Sequence, residues 1–174
     1  VRQYYYLIAS LPFLEFDIKP PILYRDFLVS SREQLNESDM KILKEATIEP
    51  SEDVKDVMST LKEWNIFDIT LRNEIARQRA SKRSKEPEQY IRGENRQDPL
   101  LAQSAHWAVS QEAPIEAERF LDKIRWEKIE ELARGHYFDM DFLITYALKL
   151  QILERWEKIN SEGDMQLLQE MVKV

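Results

Sequence analysis

The chain has no cysteine, three glycines and two histidines among its 174 residues, and each scarcity closes a class of chemistry. Without cysteine there is no disulfide, thiolate zinc site, iron–sulfur ligation or thiol nucleophile, which fits a reducing compartment. Three scattered glycines exclude Walker and dinucleotide-binding phosphate loops, and no Gly-x-Ser-x-Gly elbow frames a serine nucleophile. His106 and His136 lack the helical spacing of a zinc-ligand pair, so no metal ligand is assigned. Long hydrophobic runs are also missing. The apolar stretch Tyr4 to Phe16 is broken by Pro12 and punctuated by Glu15, which makes it neither a membrane span nor a signal peptide. Paired carboxylates such as Asp139 and Asp141 or Glu130 and Glu131 fall at helix starts or on solvated faces, so the chain reads as a non-enzyme without a cofactor.

What is present is helical. Hydrophobic residues make up 43% and charged residues 33%, with 25 Lys+Arg against 32 Asp+Glu for a net charge of −7. That is enough apolar content for one domain to bury roughly two-thirds of its unfolded surface. The opening segment Tyr4 to Pro12 is too apolar to be a tail and has to pack against something later. After Pro20-Pro21, Leu23, Phe27, Leu28 and Leu35 suit a short amphipathic helix, and Asn36 with Asp39 three residues on marks the cap of a second. From a cap at Ser51, Val54, Val57, Leu61, Trp64, Asp68, Leu71 and Ile75 recur at alternating spacings of three and four. That seam predicts one continuous helix to about Ser84, a rod of roughly 45 Å at 1.5 Å per residue. Asp68 stands in the seam where leucine would be expected, and reads as a structural carboxylate satisfied by a buried base or as the point where the packing layer changes.

Residues 87–98 are polar and punctuated by Pro87 and Gly93, giving a linker between two helical layers, 1–86 and 99–174, of a single domain 1–174. Asp98 caps and Pro99 opens a helix to Ser110; Pro114 opens another to Gly135; Asp139 starts a third reaching Gly163, followed by a short helix carrying Leu167, Leu168, Met171 and Val172. The expected fold is therefore all-α: an elongated helical bundle with one long helix in the N-terminal half and a helical hairpin in the C-terminal half. The returning hairpin helix is apolar nearly all round from Phe142 to Leu153, which suits a central helix. Arg125-Trp126-Glu127-Lys128-Ile129 recurs as Arg155-Trp156-Glu157-Lys158-Ile159, a match compatible with internal duplication. Core burial is the default for the two tryptophans, and partner anchoring at Trp126 and Trp156 is the alternative if they are exposed.

One charge feature stands apart. Arg77, Arg79, Lys82, Arg83 and Lys85 place five cations and no anion between residues 77 and 85; with −7 overall, the rest of the chain then carries −12. A solvated helix end, where the dipole favours cations, is the plain reading. An acidic protein partner and a nucleic acid are the functional alternatives, and the overall acidity with no aromatic interleaved in the run weighs against nucleic acid.

Several segments also carry a family likeness. Gln3 to Pro12 (QYYYLIASLP), Tyr24-Arg25-Asp26-Phe27-Leu28, Leu71-Arg72-Asn73-Glu74 and Glu88-Gln89-Tyr90-Ile91-Arg92-Gly93 together resemble an uncharacterised family of bacterial proteins encoded alongside V-type ATPase subunits. The second half is more distantly similar to the C subunit of those rotary ATPases, also called the d subunit, the helical adaptor that joins their central shaft to the membrane ring. That likeness rests on Glu118-Arg119-Phe120-Leu121-Asp122-Lys123 with Trp126, a glycine break, and a long helix through Leu153-Glu154-Arg155. Tyr146 and Lys149 stand where the family's Asp-x-x-Asn pair would fall, so that pair's role is not carried over, and the chain is much smaller than a full C subunit. The resemblance implies a non-catalytic, cytoplasmic adaptor, peripheral to the membrane, whose partners are other V-type ATPase subunits. Its expected contacts are Arg77, Arg79, Lys82, Arg83, Lys85, Trp126 and Trp156; the alternative is a nucleic-acid-binding regulator using residues 77–96.

Overall fold

Side-chain caps at Asn36, Asp98 and Asp139 mark where three of the helices begin. In the computed structural model, which describes residues 4–49 and 58–162, seven α-helices and one 3-10 turn occur and no strand is found among the described residues. The helices are α1 (Tyr5–Ser10), α2 (Tyr24–Arg32), α3 (Glu37–Glu45), α4 (Ser59–Lys82), α5 (Pro99–Ser110), α6 (Pro114–Leu132) and α7 (Met140–Glu162), with the 3-10 turn at Pro87–Tyr90. The fold is all-α, as expected. The Asn36 side chain accepts the Asp39 N–H at 2.9 Å, and one Asp98 oxygen accepts the N–H groups of Leu100 and Leu101, satisfying donors that have no partner inside the first turn. Asp139 caps α7 in the same way through Phe142 N–H at 3.1 Å.

The long helix is shorter than the seam suggested. Met58 has an extended backbone (ψ 148°), so α4 starts at Ser59 and its 24 residues span about 36 Å. The expected stretch from Ser51 through Val54 and Val57 lies outside the described residues. So does the short helix expected from Asp164. The other end of α4 is sharply closed: Ser84 takes a left-handed conformation (φ 52°), Lys85 N–H reaches back to Ala80 O at 2.9 Å, and Ser84 N–H to Ser81 O at 3.1 Å. These paired bonds form a Schellman motif with serine in the position glycine usually takes.

Helix α7 is central, packing on α2, α3, α4 and α6. Its burial runs almost without a break from Leu143 to Leu150, which is why its sequence shows no polar face. Around it Leu7, Phe27, Leu43, Leu61, Trp64, Ile129 and their neighbours form the main core. A second cluster of Leu71, Ile75, Leu101, Ala105, Ala117 and Leu121 fills the space between α4, α5 and α6, and Phe67 touches both. The opening segment, left open between helix and strand by its sequence, forms α1 with Leu7 and Ile8 buried. The polar linker is folded onto α4: Asn73 donates to Arg92 O at 2.8 Å and accepts Arg92 N–H at 2.9 Å.

The contacts also fix directions. Thr60 meets Asp141, so α4 and α7 begin at one end of the bundle, where the α6–α7 turn and α1 also lie. At the other end Lys82 meets Val109, and Arg79 and Arg155 meet Glu118.

Candidate functional site

Charged side chains divide into those that build the bundle interior and those left at its surface. The interior set begins with Asp68, the polar member of the α4 seam, whose carboxylate accepts Arg125 Nε at 2.9 Å and Arg72 Nε at 2.7 Å. Arg125 also donates to Asp122 at 2.8 Å; Asp122 in turn takes the Trp156 indole N–H at 2.9 Å and Arg155 at 3.3 Å. Arg155 continues to Glu118 at 2.9 Å, and Arg79 lies 3.9 Å from the same carboxylate. Asp68, Asp122 and Arg125 are buried, so this chain of ions ties α4 to both arms of the α6–α7 hairpin. Asp68 is thus the satisfied structural carboxylate that the sequence admitted.

Burial pushes the Asp68 carboxyl up, but Arg125 and Arg72, acting by charge and by hydrogen bond, outweigh it and hold the group below the usual carboxylate range. Burial likewise lowers Arg125, and Asp68 and Asp122 more than reverse that, so its guanidinium is a fixed cation. Burial lowers Arg79 in spite of Glu118, with Arg83 adding to the decrease. Arg155 Nε is buried without a partner, which leaves the second arm of the network less completely satisfied than the first.

The expected partner contacts separate on this geometry. Trp126 and Trp156 are 5% and 3% exposed, so the surface-anchor reading is corrected for both: their rings are interior. Trp126 packs near Phe16 with its N–H on Glu130, and Lys149 lies over its ring at 4.8 Å. Trp156 sits beneath Arg119 at 5.1 Å. The repeat spacing could not show this, because a tryptophan on a hairpin helix has the same periodicity whether it faces a neighbour or solvent.

The basic run is likewise divided. Arg77 bonds Glu74 at 2.5 Å and the side chain of Asn95, and Arg79 is turned toward Glu118, so these two serve the fold. Lys82, Arg83 and Lys85 are exposed, with Lys82 Nζ resting 3.2 Å from Val109 O at the end of α5. Three cations therefore reach solvent at the C-terminal end of α4, where the helix dipole favours them.

The sequence assigned no metal ligand, yet the α6–α7 turn brings His136, Asp139 and Asp141 within 4.8 Å of one another. Their atoms have structural work: His136 Nδ1 lies 2.7 Å from Asp139 and 3.6 Å from Asp141, Asp139 caps α7, and Asp141 accepts Thr60 Oγ1 at 2.5 Å. The hydrogen bond to Asp139 raises the His136 pKa, burial opposes it, and the charges of Asp139 and Asp141 add to the rise. Beside the C-terminal half of α7 runs an open groove of about 540 Å³ lined by Leu23, Ile48, Gln151, Glu154 and Lys158 among others. Its polar walls hold loops in place: Gln151 Nε2 donates to Ala46 O at 2.7 Å and Glu154 accepts Tyr24 N–H at 2.5 Å.

Sequence reasoning singled out Asp68 but missed the rest of the ionic core, although Glu118, Asp122 and Arg125 at spacings of four and three share one face of α6. That face was visible as a pattern; its burial was not.

Compared with known proteins, residues 106–174 match a family described as "Protein of unknown function (DUF2764)", a span running from within α5 through the hairpin. No curated protein and no solved structure matches significantly.

Proposed function

We propose that this chain is a non-catalytic helical adaptor of a bacterial V-type ATPase, working as the C subunit does between the rotor shaft and the membrane ring. The observation that carries the reading is the exposed trio Lys82, Arg83 and Lys85 at the end of a helix whose Asp68, Arg72, Glu74, Arg77 and Arg79 are engaged in ion pairs, on a chain that is acidic overall. Such a trio offers an acidic protein surface several charge contacts at one place and draws it in by long-range attraction. The ion-locked junction of α4 with the hairpin supports the reading, since an adaptor has to transmit position between two partners without bending. The family likeness of the N-terminal segments supplies the identity of those partners.

Nucleic-acid binding through residues 77–96 draws less support. Arg77 and Arg79 are engaged inward and Arg96 is paired with Glu94 at 2.7 Å, which reduces the free cations a phosphate backbone would meet.

The test is isolation of the tagged chain from its host's membranes. V-type ATPase subunits are expected to accompany it at fixed stoichiometry, and the complex to assemble poorly when the chain is deleted. Normal assembly and pumping without the chain, or co-isolation of nucleic acid alone, would overturn the proposal.

A further inference from the structure

The end of the bundle opposite the cations carries a different surface. Residues 4–14 contain no charge, and from this stretch α1 leaves Tyr6 88% and Tyr5 50% exposed. The α6–α7 turn adds Tyr137 at 69% and Phe138 at 39%. These are joined into one surface: the Tyr5 and Phe138 rings lie 4.7 Å apart, and Tyr4 N–H donates to Phe138 O. Aromatic enrichment with charge depletion is the composition of an interface centre and is unusual for a surface that meets only water.

We infer that this aromatic end is a self-association surface, on which a second copy of the chain docks about a two-fold axis to form a dimer. Two arguments select a second copy. The first is charge. A protein of net charge −7 repels a copy of itself, least so through a surface stretch that carries no charge of its own. The ionic groups flanking the patch, His136, Asp139 and Asp141, are bound to one another, and exposed Arg134 lies at the rim. The second is area. At about 200 Å² for an aromatic side chain, the four exposed rings present roughly 500 Å². Ala9, Ser10 and Phe13, exposed in the same uncharged stretch, bring the patch toward the roughly 800 Å² per partner that a stable interface uses. The dimer would place the two cationic ends outward, each free to engage a partner. It is a property of the chain alone and does not depend on the adaptor reading.

Sedimentation equilibrium of the purified chain from about 1 to 100 µM tests it, with circular dichroism confirming that each variant stays folded. The wild type is expected to sediment as a dimer within that range, and the dissociation constant to change little with salt, because few charges are buried at the contact. Tyr6→Asp with Tyr137→Asp should weaken the dimer at least tenfold, while Leu100→Asp, an equally exposed apolar site on α5, should leave it unchanged. A wild type that stays monomeric at about 100 µM overturns the inference. So does a dimer indifferent to the Tyr6/Tyr137 pair, or a monomer that pellets with phosphatidylglycerol vesicles and thereby shows the patch to be a lipid contact.

Discussion

The repeated pentapeptide gives two regions of one molecule the same side chains in different surroundings. In the copy on α6, Arg125 is buried and bridges Asp68 of α4 with Asp122; in the copy on α7, Arg155 is partly exposed and, among the described residues, bonds α6 at Asp122 and Glu118. Trp126 gives its N–H to Glu130, which is half in solvent, whereas Trp156 gives its N–H to buried Asp122. Position in the helix face decides that both arginines and both tryptophans turn inward. What lies across from them decides how much each one holds: the first copy fastens α4 to the hairpin through a buried ion pair, whereas the second meets the N-terminal half through a solvent-exposed pair, Glu157 with Lys19 at 3.1 Å.

The largest expected effect follows from that asymmetry. Arg125→Met takes the fully buried cation from two buried carboxylates, leaving Asp68 with partly exposed Arg72 and Asp122 with Trp156 and Arg155, and should lower stability by about 3–5 kcal/mol, whereas Arg155→Met, which leaves Asp122 with Arg125 and Trp156, should cost about 1–2 kcal/mol. Urea unfolding at neutral pH reads both, and equal losses would show that the two copies are equivalent. Next come the indoles. Trp156→Phe withdraws a donor from a buried charge and should cost about 1–3 kcal/mol, against under about 1 kcal/mol for Trp126→Phe, whose acceptor also has Lys149 at 3.1 Å. Thermal unfolding of the two variants side by side would sharpen the contrast or erase it.

The same contrast marks how far the sequence can be read. Helix identities, the caps at Asn36, Asp98 and Asp139, and the central place of α7 were legible because each follows from local chemistry or from a face that is apolar all round. The ionic core was legible only at Asp68, which stood in the apolar seam; Glu118, Asp122 and Arg125 have the spacing of a solvated helix face. Only a neighbouring helix carrying opposite charges makes burial tolerable, and that neighbour is 57 residues away for Arg125 and Asp68. The seam from Ser51 overran the start of α4 for a related reason: spacing continues through Met58, but the extended backbone there stops the helix. At the candidate site the basic run was visible as charge. Its division into inward Arg77 and Arg79 and outward Lys82, Arg83 and Lys85 depends on Glu74 and Glu118, which the run itself does not contain.

The smallest expected effect concerns the two ionic clusters and pH. His136 is held above its ordinary value, so the stability it lends is fully present below about pH 6.5 and is lost as pH rises through its folded pKa. Asp68 is held below its ordinary value, so its contribution is present above about pH 4 and is lost as pH falls through its folded pKa. In a pH series of urea midpoints, His136→Gln should remove the decline on the alkaline side and leave the acid limb intact. An unchanged alkaline limb would mean that the turn does not use its imidazolium.

If the molecule docks through its cationic end, as proposed, reversing the charge there should break the contact. Binding of the purified chain to its host's V-type ATPase would be measured for the wild type and for Lys82→Glu, Arg83→Glu and Lys85→Glu combined. At least a tenfold loss of affinity is expected, about 1.4 kcal/mol or more, with the helical circular dichroism retained because all three side chains are exposed, and with the unfolding midpoint lowered somewhat as acids replace cations that the helix end favours. Undiminished binding by the reversed protein would contradict the proposal.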